Sequence, residues 1–255
     1  MNLLVAGARS LGVDLESGQL AAFQSYFLLL EQRGRLMNLT AVRGWEDVRE
    51  ELFLRSLRVL AVPGNALQEA IAMRGEGVRV ADVGTGAGIP GLVLKLALPR
   101  LDITMIEATQ KKAEFLREAI AILKLDRTRV VNARAEAAAH APDLREAFDV
   151  VVARALAQLP ELAELTLPFA RVGGSVIAPK GAGIEAEVRA AAYAATMLGA
   201  APSTSTVVSA PGSRGPDTMV VWDKNRKTPD RYPRRVGVPH KQPLQTPGQA
   251  RRRAP

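Results

Sequence analysis

The chain has 255 residues, a formal charge of +8 and 47% apolar residues, enough for a sizeable core in one large domain or one domain plus an appendage. It has no cysteine, which excludes disulfides, thiolate metal sites and the cysteine nucleophile that covalent methylation of pyrimidine C5 requires. Aromatic residues are only 4%, too few for extended base-stacking platforms.

Residues 1–60 read as helical. Leu20, Phe23, Phe27 and Leu30 fall on one face at helical spacing and are expected to pack on the main domain. Gly34 can end that helix, and Asn38-Leu39-Thr40 reads as a loop. Val48, Leu52, Arg55, Ser56 and Val59 lie near one face of a second helix, with its apolar positions in the core. Residues 61–77 hold Pro63, Gly64, Gly75 and Gly77 and read as a linker around a short helix at 66–73. MNLLVAGARSL has too short an apolar run for a signal peptide, and no stretch is long enough to span a membrane. A soluble, cytoplasmic monomer is expected. His140 and His240 are the only histidines, and neither is assigned a role.

Residues 78–91, VRVADVGTGAGIPG, organise the rest of the chain. The stretch 78–83 reads as a buried strand. Gly84, Gly86 and Gly88 let the chain turn sharply and approach a ligand, because a Cβ there would clash. Ile89-Pro90-Gly91 opens a helix, with Pro90 where a missing N–H costs least. Strand, glycine turn and helix N-terminus in that order make a nucleotide-type pocket at the carboxyl edge of a parallel sheet. GAGIPG satisfies the G-x-G-x-x-G of dinucleotide sites. GTGAG directly after Asp82 instead resembles the D-x-G-x-G-x-G motif of S-adenosylmethionine (AdoMet) methyltransferases. Under either reading Glu107, ending the next strand, is the acid expected to hold ribose hydroxyls. A ligand-free tight turn is the bland alternative, and the acid-ended second strand disfavours it.

From residue 78 onward strands and helices alternate, which predicts a parallel sheet covered on both faces. Strands are expected at 103–107, 129–132, 148–152 and 175–178. Helices are expected at 90–98, 110–124, within 137–147, at 159–170 and at 183–198. A hairpin of 204–209 and 217–223 follows. Five parallel strands closed by a hairpin match a seven-stranded, Rossmann-like methyltransferase sheet with an N-terminal helical extension better than a six-stranded dinucleotide fold. Arg134, Arg154 and Lys180 each follow a strand end, and Arg214 sits in the hairpin loop. Those loops share one rim, so four cations are expected to converge there on an anionic substrate.

The chain thus divides into a helical segment 1–60, a cofactor domain 61–223 and a tail 224–255. The tail holds ten Lys/Arg and the single acid Asp230, a charge of +9 that leaves −1 for the first 223 residues. Rich in proline, it is expected to lack regular structure when free and to suit a polyanion such as RNA; a solubilising tail is the alternative.

DVGTGAGIPG, NLTAVR, IEATQKKAEFL, RAE, ARAL, PKG and KTPDRYPRRVGVPHKQPL together resemble the RsmG family, also called glucose-inhibited division protein B, over roughly residues 10–244. The resemblance implies an AdoMet-dependent methyltransferase acting on guanine N7 in the 530 loop of 16S ribosomal RNA of the small subunit, without a metal. It implies cofactor contacts at Asp82, Gly84, Thr85, Gly86, Gly88, Pro90, Glu107 and Ala108, and adenine contacts at Arg134, Ala135 and Glu136. Arg154, shared with the cofactor, and Lys180 are expected nearest the base, with Arg214, Arg234 and Arg235 also on RNA. Guanine N7 carries a lone pair and no proton, so no general base is needed; positioning is what the site must supply. The sequence lacks the D/N-P-P-Y/F motif of exocyclic-amine methylation. It also departs from the family: Leu52 and Arg55 replace the histidine and aspartate of R-H-x-x-D-S. The last strand normally follows an Arg with a slightly different spacer; here Gly215-Pro216-Asp217 intervenes. Two other classes stay open, a nicotinamide-dependent oxidoreductase and a non-catalytic RNA-binding or assembly factor.

Overall fold

The structure, a computed structural model, describes residues 1–64, 66–72 and 75–245, without the side chains of Arg35, Leu36 and Ala70. Arg251, Arg252 and Arg253 of the basic tail lie outside the described residues.

Seven strands form one sheet: β1 (Arg79–Val83), β2 (Asp102–Glu107), β3 (Thr128–Asn132), β4 (Phe148–Val152), β5 (Ala170–Lys180), β6 (Thr204–Val208) and β7 (Asp217–Asp223). Their order is β3-β2-β1-β4-β5-β7-β6. The first five run parallel, and β7 pairs antiparallel with both β5 and β6. The order reverses between β1 and β4, and in such a sheet the crevice above that point receives the ligand.

The strands read as near-continuous apolar runs because both faces are covered. Alternate residues point to two separate cores. Val80, Val150, Val152, Ile177, Met219 and Val221 meet the N-terminal helices. Ala81, Val151, Val176, Ala178, Val220 and Trp222 meet the other helical layer.

The N-terminal layer holds α1 (Asn2–Ser10) and α2 (Ser17–Met37). It continues as an unbroken helical column: α3 (Trp45–Asp47), a π-helical run Val48–Leu54, α4 (Arg55–Leu57) and a tight 3-10 turn Arg58–Ala61. Next come α5 (Ala66–Ala72), then α6 (Gly91–Ala97) after β1 and α7 (Gln110–Ile122) after β2. Phe23 and Leu30 of the expected apolar face are fully covered, and Leu20 and Phe27 partly so. The other layer holds α8 (Ala135–Ala138), α9 (Leu159–Thr166) and α10 (Glu185–Met197).

Four expectations need correction. α2 runs through Gly34 to Met37 and is capped by Asn38 in the left-handed region. The helix sought within 137–147 lies earlier, as α8, because the Arg134 carbonyl accepts the first turn's N–H groups. β5 begins well before 175 and carries Gly173-Gly174 within it, with a register shift against β4 between Phe148 and Val150. Residues 224–244 do not hang free. Lys224 is fully buried and donates to Glu146 and to the carbonyls of Leu167 and Ala170. Arg145 binds the carbonyls of Thr228, Pro229 and Tyr232. The segment ends in α11 (Val238–Lys241), against α9. Composition alone marks basic and proline-rich stretches as unstructured; here acids and backbone carbonyls bind Lys224, Arg226 and Arg234.

Candidate active site

The glycine loop leaves β1 as expected. Gly84 and Thr85 donate their N–H groups to the Ile106 carbonyl, stitching the loop to the end of β2. Gly84 sits at φ +72, and a Cβ there would lie 2.5 Å from Leu156 Cδ1. Gly86, at φ +59, would bring a Cβ no nearer than 4.0 Å to the Gly84 carbonyl and is required by its backbone conformation alone. Its N–H donates to Glu107 Oε2 at 2.9 Å, while Thr109 N–H donates to Oε1 at 2.7 Å. Two N–H donors leave lone pairs on both oxygens for ribose hydroxyls.

Asp82 lies beneath the loop. Its Oδ2 accepts from Thr85 Oγ1 and from the Gly91 N–H at the start of α6. Its Oδ1 is buried without a partner. Burial pushes this carboxyl up to about 7 against the two hydrogen bonds that lower it. Thr85 and Pro90 are buried with it and support the loop from below.

Beside the loop opens a cleft of about 270 Å³, lined by Gly84, Ile106, Ala108, Ala133, Arg134, Ala135 and Glu136 on one side. Leu156, Glu161, Leu165 and His240 line the other. Five of the expected cofactor positions therefore share one cavity, adjoined by Glu107. Glu136 turns partly away, accepting the Gly237 N–H at 2.9 Å. That bond, and His240 Nδ1 at 3.2 Å from Glu161, make the C-terminal segment a wall of the cleft. Sequence reading passed over His240 and Glu161, although the motif VPHKQPL carried the histidine.

The four rim cations are not equally free. Lys180 donates to the Ala157 carbonyl and to Glu187, tying the loop after β4 to α10. Arg154 donates to the Glu51 carbonyl at 2.6 Å, and its Nη1 is buried without a partner. Burial, with the like charge of Arg55, lowers its guanidinium to about 10, still protonated at neutral pH. Its side chain is drawn to the helical column and is absent from the cleft lining. Arg214 is exposed and pairs with Asp47 and Glu50 of the same column. Arg134 stands exposed at the cleft edge. Arg234 is committed elsewhere: it grips the fully buried Glu164 through Nε and Nη2 and reaches the Gln242 carbonyl. Its place is to anchor the tail, whereas Arg235 is exposed beside a neighbouring groove with Arg231 and His140.

The two departures from the family pattern meet in space. Leu52 is a core residue. Arg55 pairs with Glu51 one turn away and, through Nε and Nη2, with Asp217 at the start of β7. The fully buried Arg58 also binds Asp217, along with Ser213 Oγ and the Gly215 carbonyl. Burial works to raise the Asp217 carboxyl, but the hydrogen bonds and charges of Arg55 and Arg58 outweigh it and hold it below the usual range.

A family model described as GidB, rRNA small subunit methyltransferase G, matches residues 19–214. The chain belongs to this family. A protein of Dehalococcoides mccartyi named ribosomal RNA small subunit methyltransferase G is 40% identical over 244 residues, 96% of this chain and all of that protein. One of the same name from Pelotomaculum thermopropionicum is 40% identical over 238 residues, covering 93% and 96% of the two chains. Among solved structures, a variant of MtNAS in complex with S-adenosylmethionine covers 88% of each chain with TM-score 0.50 and 17% identity, a likeness of fold. The GidB match spans the glycine loop, the β2 acid, the rim cations Arg134, Arg154, Lys180 and Arg214, and the cleft lining except His240. Among the described residues no group of three or more His, Asp or Glu could hold a metal ion, and no helix is long and apolar enough to cross a membrane.

Proposed function

We propose that this chain, an AdoMet-dependent methyltransferase by family, methylates N7 of a guanine in the 530 loop of 16S ribosomal RNA. The observation that carries the reading is the family match over residues 19–214, which holds the glycine loop, Glu107 and the rim cations, on a cleft whose donors and walls fit the cofactor. Glu107 has lone pairs left for ribose hydroxyls. Ile106, Ala133, Leu156 and Leu165 give the cleft apolar walls for an adenine. Asp82, beneath the loop, holds it in shape through Thr85 Oγ1 and the Gly91 N–H. When bound, AdoMet supplies a methyl group made electrophilic by its sulfonium.

The chain's own residues then have to orient and exclude water. A purine N7 has no proton to remove, so the rim needs hydrogen-bond donors rather than a base. Arg154, on the rim loop after β4, is the donor assigned to the guanine O6 edge, which it reaches on releasing the Glu51 carbonyl. Arg134 and Arg214, both exposed, suit flanking phosphates. Lys180 holds the loop that carries Arg154 and Leu156, one step removed from the base.

The test is methyl transfer from labelled AdoMet to small subunits, and separately to naked 16S RNA, from cells lacking the enzyme. One 7-methylguanine per RNA supports the reading. RNA binding with no methyl transferred supports the assembly-factor alternative instead.

A further inference from the structure

The helix α2 grips both ends of the segment that runs from the glycine loop through α6. Tyr26, fully buried, donates its hydroxyl to the Ala87 carbonyl at 2.6 Å. Gln19, two turns earlier on α2, donates through Nε2 to the carbonyls of Leu96 and Ala97 at the end of α6, at 3.1 and 2.8 Å. The peptide that Tyr26 binds is held at its other end too, because the Gly88 N–H donates to the Thr85 carbonyl at 2.9 Å. Across the loop, Glu107 takes the Gly86 N–H. The middle of the loop is therefore clamped between an acid of the sheet and a phenol of the N-terminal extension.

The core alone does not require that hydroxyl. Tyr26 stacks on Phe53 at 5.6 Å between centroids, and its neighbours on the buried face, Phe23 and Leu30, are apolar. A phenylalanine would fill the same space, and a buried hydroxyl costs free energy unless it is paired. What the oxygen adds is one bond to one loop carbonyl. Burial, with the nearby Asp82 charge, pushes the phenol well above its ordinary value, so it remains a donor throughout the physiological range.

We propose that Tyr26 is a positioning residue for AdoMet: it fixes the Ala87–Gly88 peptide and thereby the backbone on which the cofactor rests. This rests on the reading of residues 84–88 as the cofactor loop. The N-terminal extension then has a function in cofactor binding as well as in packing.

The experiment titrates AdoMet into the full chain by calorimetry for wild type, Tyr26→Phe, Glu107→Ala and Phe169→Leu. Phe169 is buried in the opposite core and controls for general loosening. Losing the hydroxyl leaves the Ala87 carbonyl unpaired, so Tyr26→Phe is expected to weaken AdoMet binding about tenfold. Affinity for 16S RNA stays within about twofold, and Phe169→Leu keeps wild-type AdoMet affinity despite a lower Tm. Unchanged binding by Glu107→Ala overturns the cofactor-loop reading, and the Tyr26 role with it. Weak binding by Glu107→Ala beside a change below about twofold for Tyr26→Phe overturns the Tyr26 role alone. An equal loss in Phe169→Leu also overturns it, by showing that any loosening of the fold suffices.

Discussion

Replacing Asp217 by alanine should be among the most destabilising single changes in the hairpin region. Its carboxylate is 2% exposed and accepts three hydrogen bonds, two from Arg55 and one from the fully buried Arg58. Removing it leaves the Arg58 charge buried, with only Ser213 and loop carbonyls as partners. Breaking a buried pair from one side costs about 3–5 kcal/mol. For a chain of this size that lowers Tm by roughly 10–15 °C. Arg58→Met with Asp217→Leu removes both buried charges together and should cost well below the sum of the single changes. Arg55 keeps Glu51 and partial solvent contact in that background. Urea unfolding of the two singles and the double closes the cycle. A loss under about 1 kcal/mol for Asp217→Ala, or strict additivity in the double, would refute the account of this cluster.

Other consequences follow from the loop. Asp82 is raised from 3.8 to about 7, so between those values the folded chain binds more protons than the unfolded one, and stability falls as pH rises through that window. Asp82→Asn removes the charge and keeps an acceptor, so the fall, about 4 kcal/mol at most, should vanish from Tm measured from about pH 5 to 8; parallel curves would contradict this. Gly84→Ala combines a left-handed backbone with a Cβ 2.5 Å from Leu156 and should cost about 2 kcal/mol or more together with AdoMet affinity, read by melting with and without cofactor. Arg154→Ala should lower turnover on ribosomal RNA at least about tenfold with AdoMet affinity little changed, whereas full turnover would remove Arg154 from the base.

Local signals carried much of this architecture. The β-branched run before Asp82, the alternating glycines and the acid ending β2 each leave a local trace, because strand burial and turn geometry are set by a few adjacent residues. Five strand–helix units and a hairpin announced a covered parallel sheet, but not its strand order, which long-range pairing sets. Side-chain commitments were not legible. Lys180, Arg214 and Arg234 look alike in sequence, yet one binds a carbonyl and Glu187, one pairs at the surface and one is locked onto a buried acid. Those partners lie up to 167 residues away, as with Arg214 and Asp47, and no local pattern announces them. Tyr26 was hidden for the same reason: it sits in an apolar helical stripe, and its partner is a backbone atom 61 residues on.

The central claim is methylation of one guanine N7 in the 530 loop, and N7 methylation has a chemical signature. The fixed positive charge makes the ring open to borohydride, after which aniline cleaves the RNA backbone at that nucleotide. The decisive measurement is primer extension on 16S RNA treated in this way, taken from small subunits incubated with the enzyme and AdoMet. The account predicts one new stop in the 530 loop that requires both enzyme and AdoMet. A stop elsewhere in the RNA, or methyl incorporation with no stop at all, would contradict it.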